Sequence, residues 1–215
     1  MSRFMAAIYD RFMRDMEALS GAAWRAALLA DLRGDVLEVG AGTGRNLDHY
    51  PADLASLVLS EPDPHMRARL TKRAHELGSS ARITDWPADA LGAPDASFDA
   101  VVCTLVLCSV PDVARALAEM RRVLRPGGKL VFIEHVLSSR PSRAAWQRRL
   151  EPAWRLVAGN CHLCRETDAR IGEAGFEIAD ITRESARKAL PIVREVVRGV
   201  AIRGGEPGAA RGPSS

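Results

Sequence analysis

Val36-Leu37-Glu38-Val39-Gly40-Ala41-Gly42-Thr43-Gly44 is the stretch that decides the fold. Four residues with the character of a short buried strand run into a loop with glycine at every second position, followed by Arg45-Asn46. Glycine lets a backbone turn sharply and approach a bound ligand where a Cβ would fill the space. In open parallel sheets, ligands sit beyond the carboxyl ends of the strands, which is where this loop falls. The loop is not a dinucleotide fingerprint of the G-x-G-x-x-G kind, because the third glycine comes one residue early and Arg45 holds its place. Nor is it a P-loop, since no Lys-Ser or Lys-Thr follows. A glycine-rich turn that binds nothing is the bland alternative.

Strands and helices alternate outward from this stretch. Leu57–Leu59 reads as a second strand and Arg82–Thr84 as a weaker third, while Phe98–Leu105 and Lys129–His135 read as the strongest two. Asp63 and Pro64 open a helix that carries Met66 and Leu70 and ends at Gly78. Another helix runs from Val113 to Leu124. Phe176–Thr182 and Val193–Ile202 are late strands. This order predicts an α/β fold: a Rossmann-like, doubly wound, mostly parallel sheet with helices on both faces. Before it, Phe4, Ile8, Phe12, Met16 and Leu19 share one face of an amphipathic helix, and a second helix is expected from a Ser20 cap through Leu32 to Gly34. The expected organisation is one domain over residues 1–203, with a helical lid at 1–33, an inserted cap at 138–163 and a disordered tail at 204–215.

Composition excludes several classes. The chain has 215 residues, 47% of them apolar and 27% charged, which is ordinary globular usage. A net charge of +3, spread along the chain, gives no concentrated basic stripe and argues against a nucleic-acid partner. The longest apolar stretch, near Ala100–Leu107, falls far short of the roughly 18–20 residues of a membrane span. The N-terminus reaches Asp10 and Arg11 before any signal-peptide core builds up, so a cytoplasmic location is expected. Cys103, Cys108, Cys161 and Cys164 are then reduced thiols.

Two carboxylates extend the site. Glu61 ends the second strand, where it can accept both hydroxyls of a ribose, or simply stand at the start of the next helix. Asp89-Ala90 follows the third strand, where the carboxylate can meet an adenine amine or only solvent. Together with Arg122-Val123-Leu124-Arg125-Pro126-Gly127-Gly128, these residues resemble the class I S-adenosylmethionine-dependent methyltransferases. That resemblance implies seven strands with an antiparallel last strand, and S-adenosylmethionine (SAM) as cofactor. It places Gly40, Ala41, Gly42 and Gly44 along the methionine moiety with Glu38 beneath, Glu61 and Pro62 at the ribose, Asp89 and Ala90 at the adenine, and Thr104 beside the methionine portion.

Val102–Val110, Phe132–Val136, Trp146-Gln147, Glu151–Trp154, Cys161, Leu163 and Arg165-Glu166-Thr167 are similar to the mammalian alkyl-thiol methyltransferases and their bacterial relatives. Those animal proteins begin with a hydrophobic anchor, whereas this chain begins with the amphipathic Phe4–Leu19 helix, for which a lid, a membrane-surface contact and plain packing all remain open. The expected partner is a small-molecule acceptor, with an apolar thiol preferred because a thiol needs only mild activation. N- or O-methylation of a lipid-like or quinone-like molecule is the alternative, and a non-catalytic SAM-binding module is the rival of another class. His135 is the candidate base, with a purely structural histidine equally open; strand alternation sends its neighbour Glu134 the other way. Candidate acceptor contacts are Tyr9, Cys108, and an apolar stripe of Trp146, Leu150 and Trp154, although Pro152 interrupts that helix. Asp112 reads as a helix cap. The cluster Arg140, Arg143, Arg148, Arg149 reads either as a solvated face or as a contact for an acidic headgroup. Cys161-His162-Leu163-Cys164 lacks the second C-x-x-C pair of a structural zinc site, so no metal is expected.

Overall fold

The computed structural model describes residues 20–186 and 189–204. The Phe4–Leu19 helix, Tyr9 and the tail beyond Gly204 lie outside these residues. Helix α1 (Ala22–Leu29) leads into strand β1 (Asp35–Val39), and a single 3-10 turn at Leu47–His49 leads into β2 (Ser56–Ser60). Next come α2 (Pro64–Glu76), β3 (Arg82–Thr84), β4 (Phe98–Thr104), α3 (Val113–Val123) and β5 (Leu124–His135). The chain ends with α4 (Pro141–Val157), α5 (Thr167–Glu173), β6 (Phe176–Ser185) and β7 (Glu195–Arg203).

One seven-stranded sheet forms in the order β3-β2-β1-β4-β5-β7-β6. The strands from β3 to β5 in this order are parallel to one another, and β7 runs antiparallel to both β5 and β6. β1 lies between β2 and β4, with Glu38 level with Leu59 on one side and Val102 on the other. The chain reverses its direction of progress across the sheet at β1 and β4, and the ends of those strands open the crevice where such sheets bind ligands. Leu37, Val101, Leu117, Met120, Leu124, Leu130 and Phe132 are fully buried in the main core.

Local chemistry sets the element boundaries. Asp63 caps α2 by accepting from the His65 and Met66 N–H groups, with Pro64 in the first turn. Asp112 caps α3 by accepting from the Arg115 N–H. At α1, by contrast, the cap position is Gly21 and not Ser20: it already has helical dihedrals and makes no side-chain cap bond. That helix stops at Leu29, and Leu32 turns under into the core, its N–H bonded to the Leu29 carbonyl. The seven-residue α5 has too few turns to show a periodic face in the sequence. Among the described residues, no helix is long and apolar enough to cross a membrane.

The outer strand β6 is exposed for most of its length, including Ile178 and Ile181. The opposite margin, β3, has three residues.

Candidate active site

The glycine loop leaves β1 with positive φ at Gly40, Gly42 and Gly44 (67°, 59° and 85°). Two of the three positions are tight: a Cβ at Gly40 would come within 2.6 Å of Val106 Cγ2, and one at Gly44 within 2.8 Å of Leu47 Cδ1. At Gly42 a Cβ would meet nothing within 4 Å. The loop is therefore shut against the protein at both ends and open in the middle. The Ala41 N–H bonds the Ser60 carbonyl, which fixes the loop against the end of β2.

Beside the open position stands Glu61, which is 7% exposed. Its Oε2 accepts from the Gly42 N–H at 2.8 Å and its Oε1 from the Asp63 N–H at 2.9 Å. A carboxylate has about four acceptor sites, so each oxygen keeps one for a ligand hydroxyl. Burial raises its pKa above the ordinary carboxylate value, against those two amides.

Glu38 lies beneath the loop, 2% exposed. Asn46 donates to its Oε1 and the Tyr50 hydroxyl to its Oε2, both at 2.8 Å. Arg25 donates to Asn46 Oδ1 and, at 3.0 Å, to Thr104 Oγ1. Burial pushes Glu38 up to about 7, with Tyr50, Arg25 and Asn46 opposing. Thr104 thus joins the network expected at the methionine end. Arg25, Asn46 and Tyr50 were not singled out in the sequence, because nothing local marks them: Asn46 directly follows the loop but acts through a carboxylate eight residues earlier. Pro62, Asp89 and Ala90 follow the ends of β2 and β3, on the same side of the sheet, and the Asp89 carbonyl accepts from Arg115 at 3.4 Å.

Glu134 and His135 have different partners, although both reach Cys108. Glu134 is fully buried and receives three consecutive amides: Val106 and Leu107 on Oε1, each at 2.9 Å, and Cys108 on Oε2 at 3.0 Å. It pins the β4–α3 loop to β5. His135 turns instead toward Cys161, with Nδ1 3.8 Å from Sγ, while its Nε2 is buried without a partner. Cys108 completes this group. The Cys161 thiol is held below the ordinary thiol range, first by its hydrogen bond with Cys108 and then by the imidazole, against burial. Cys108 is raised for the complementary reason.

The expected apolar roof does not form. Trp146 is 56% exposed, with the Arg149 guanidinium 5.8 Å from its ring centre, and Leu150 is also exposed. α4 runs unbroken through Pro152, and the buried side chains it offers are Ala144 and Gln147. Trp154 alone turns inward, onto Trp24, Ile133 and Leu163. Arg143 is neither solvated nor free for a headgroup, because it pairs with Glu195 at 2.8 Å in a mostly buried contact. His162 pairs with Glu151 at 3.1 Å, and Cys164 is not part of the Cys108, His135 and Cys161 group.

The residues suit an adenosyl sulfonium. Gly42 leaves space where any side chain would intrude, Glu61 offers paired acceptors, and Glu38 offers a buried negative charge for a cation. Comparison with known proteins agrees. A family model described as a methyltransferase domain matches residues 37–132. Thiol S-methyltransferase TMT1B of Mus musculus is 40% identical over 182 residues, covering 80% of this chain and 73% of that protein. The chain belongs to the SAM-dependent methyltransferases. TMT1B of Rattus norvegicus is 41% identical over 157 residues, and there the match spans 69% of this methyltransferase and 64% of the relative. The solved structure of a SAM-dependent methyltransferase from Thermotoga maritima superposes with a TM-score of 0.68 over 94% of this chain and 97% of that one, at 23% identity. The seven strands and the antiparallel β7 are those the sequence resemblance implied; the strand order is new with the structure.

Proposed function

We propose that this methyltransferase methylates the sulfur of a small apolar thiol. The observation that carries the reading is how the carboxylates next to the acceptor side are used. Glu134 is fully buried and committed to three backbone amides, so it is not free to serve as a firm base, and Asp112 is an exposed helix cap. The loop that Glu134 holds carries Leu105, Val106, Leu107 and Cys108, all apolar, with Leu107 and Cys108 fully buried. Amines and phenols need a strong base held in place, but a thiol of pKa ~8.5 is already partly ionised near neutrality.

SAM, when bound, supplies a methyl group already activated as an electrophile. The chain's own work is to bind, align and keep water out. Glu61 seats the ribose, and the Gly42 opening takes the methionine moiety. Glu38, held by Asn46 and Tyr50, faces the cationic end, with Thr104 locked beside it through Arg25. The similarity to thiol S-methyltransferases over most of the chain supports sulfur as the acceptor atom.

The test offers the purified full-length protein SAM and a panel of alkyl thiols, primary amines, phenols and quinol-bearing vesicles, with products read by mass spectrometry. Thioether formed one-for-one with demethylated cofactor is the expected result. Methylated amine, phenol or quinol with untouched thiols would reverse the reading.

A further inference from the structure

Three side chains from separate elements meet at the carboxyl side of the sheet: Cys108 after β4, His135 ending β5 and Cys161 after α4. Their candidate ligand atoms all lie within 4.8 Å of one another. Exposure is 1%, 8% and 6% respectively, so water does not share the group freely. His135 turns Nδ1 toward Cys161, and its other ring nitrogen, Nε2, is buried with no protein partner.

The geometry is close to that of a tetrahedral metal. Zinc bonds of about 2.3 Å to sulfur and 2.0–2.1 Å to nitrogen set neighbouring ligand atoms roughly 3.6–3.8 Å apart. Cys161 Sγ and His135 Nδ1 are already 3.8 Å apart. Two thiolates cancel the charge of a divalent cation, so the loaded cluster would be neutral and suited to burial. A disulfide between Cys108 and Cys161 would account for the sulfurs but leave the imidazole unexplained. The ligands are scattered along the chain, His135 and Cys161 being 26 positions apart, and no C-x-x-C spacing announces them.

We propose that Cys108, His135 and Cys161 hold a zinc ion, with its fourth position left for the acceptor's sulfur. The three-ligand site stands on geometry alone, and only the fourth position rests on the thiol reading. Three protein ligands and one open place is the arrangement of catalytic zinc. Nearness to the cofactor loop favours it too, because Val106, two residues before Cys108, sits where a Gly40 side chain would be. The acceptor enters as its thiolate, having left its proton in bulk water, and zinc holds it in that form. A sulfur lone pair then forms the new S–C bond as the methyl's bond to the sulfonium breaks, its electron pair staying on the cofactor's sulfur. The neutral methyl thioether, a weak ligand, departs.

Cobalt(II) is the probe. Wild-type protein stripped with a chelator and titrated with cobalt should take up one equivalent, displaced by zinc, and show thiolate-to-metal charge transfer and tetrahedral visible bands. Cys108→Ser, Cys161→Ser and His135→Gln should each weaken uptake by more than about tenfold, with Cys164→Ser as the unaffected control. Added alkyl thiol should shift the visible bands. Folded wild-type protein that takes up no cobalt overturns the proposal without any variant, and so does thiol methylation at full rate by metal-free enzyme, which would leave the thiol reading standing. Bands indifferent to thiol overturn the fourth-position assignment. Cobalt uptake with amines rather than thiols methylated supports the three-ligand site and removes the thiol reading.

Discussion

Gly42, Glu61 and Glu38 each do a different job, and their variants should fail differently. Gly42→Val puts a branched side chain into the opening and at a φ that L-residues resist. Calorimetry should find SAM binding abolished in a variant that still unfolds cooperatively. Glu61→Ala keeps the opening but removes the hydroxyl acceptors, and should weaken SAM by roughly 1–3 kcal/mol. Glu38 answers to pH. Below pH 4.5 it is protonated both folded and unfolded; between 4.5 and about 7 only the unfolded chain releases the proton; above 7 the fold carries a buried charge. The stability from its neutral form is thus complete below pH 4.5 and lost as pH rises through about 7. Glu38→Gln should therefore gain on the wild type by up to about 3 kcal/mol between pH 4.5 and 8 in denaturant titrations. The glycines and Glu38 were legible because their signal is contiguous. Arg25, Asn46 and Tyr50 were not, since their meaning comes from tertiary contacts with a single buried carboxylate.

At the scale of the element, α4 shows where pattern reading misleads. Its aromatic stripe suggested a roof, yet Trp146 faces solvent and the residue that ties the helix down is polar. Gln147 is 1% exposed, accepts from the Ser138 N–H at 2.8 Å, and donates to the Val136 and Ile192 carbonyls at 3.1 and 3.0 Å. Gln147→Leu should cost about 1–3 kcal/mol through those unsatisfied backbone groups, while Trp146→Ala should change stability by less than about 0.5 kcal/mol. Equilibrium unfolding of the two variants decides it. Hydrophobic periodicity cannot find an anchor of this kind, because it weighs apolarity and not hydrogen-bond demand. By the same physics, the caps of α2 and α3 were readable: Asp63 and Asp112 act on amides two or three residues away.

For the whole molecule, strand–helix alternation made the sheet legible and family resemblance implied its antiparallel last strand, but the insertion of β7 between β5 and β6 was not legible, because no local pattern encodes which edge a late strand joins. The cofactor crevice belongs to the folded sheet alone, so a ligand there must stabilise it. Demethylated cofactor at a hundred times its Kd should add about 2.7 kcal/mol and raise the melting temperature by several degrees. A thermal melt without that shift would contradict a preformed crevice. The margins of the sheet carry a different consequence. One margin is only three residues long, too short to template a foreign strand. The other is long and bare, but Glu177, Asp180, Arg183 and Glu184 punctuate it with charge, and an incoming β-segment would have to desolvate them. The protein is thereby guarded against fibrous self-assembly by brevity on one flank and by the hydration its charged side chains would have to give up on the other.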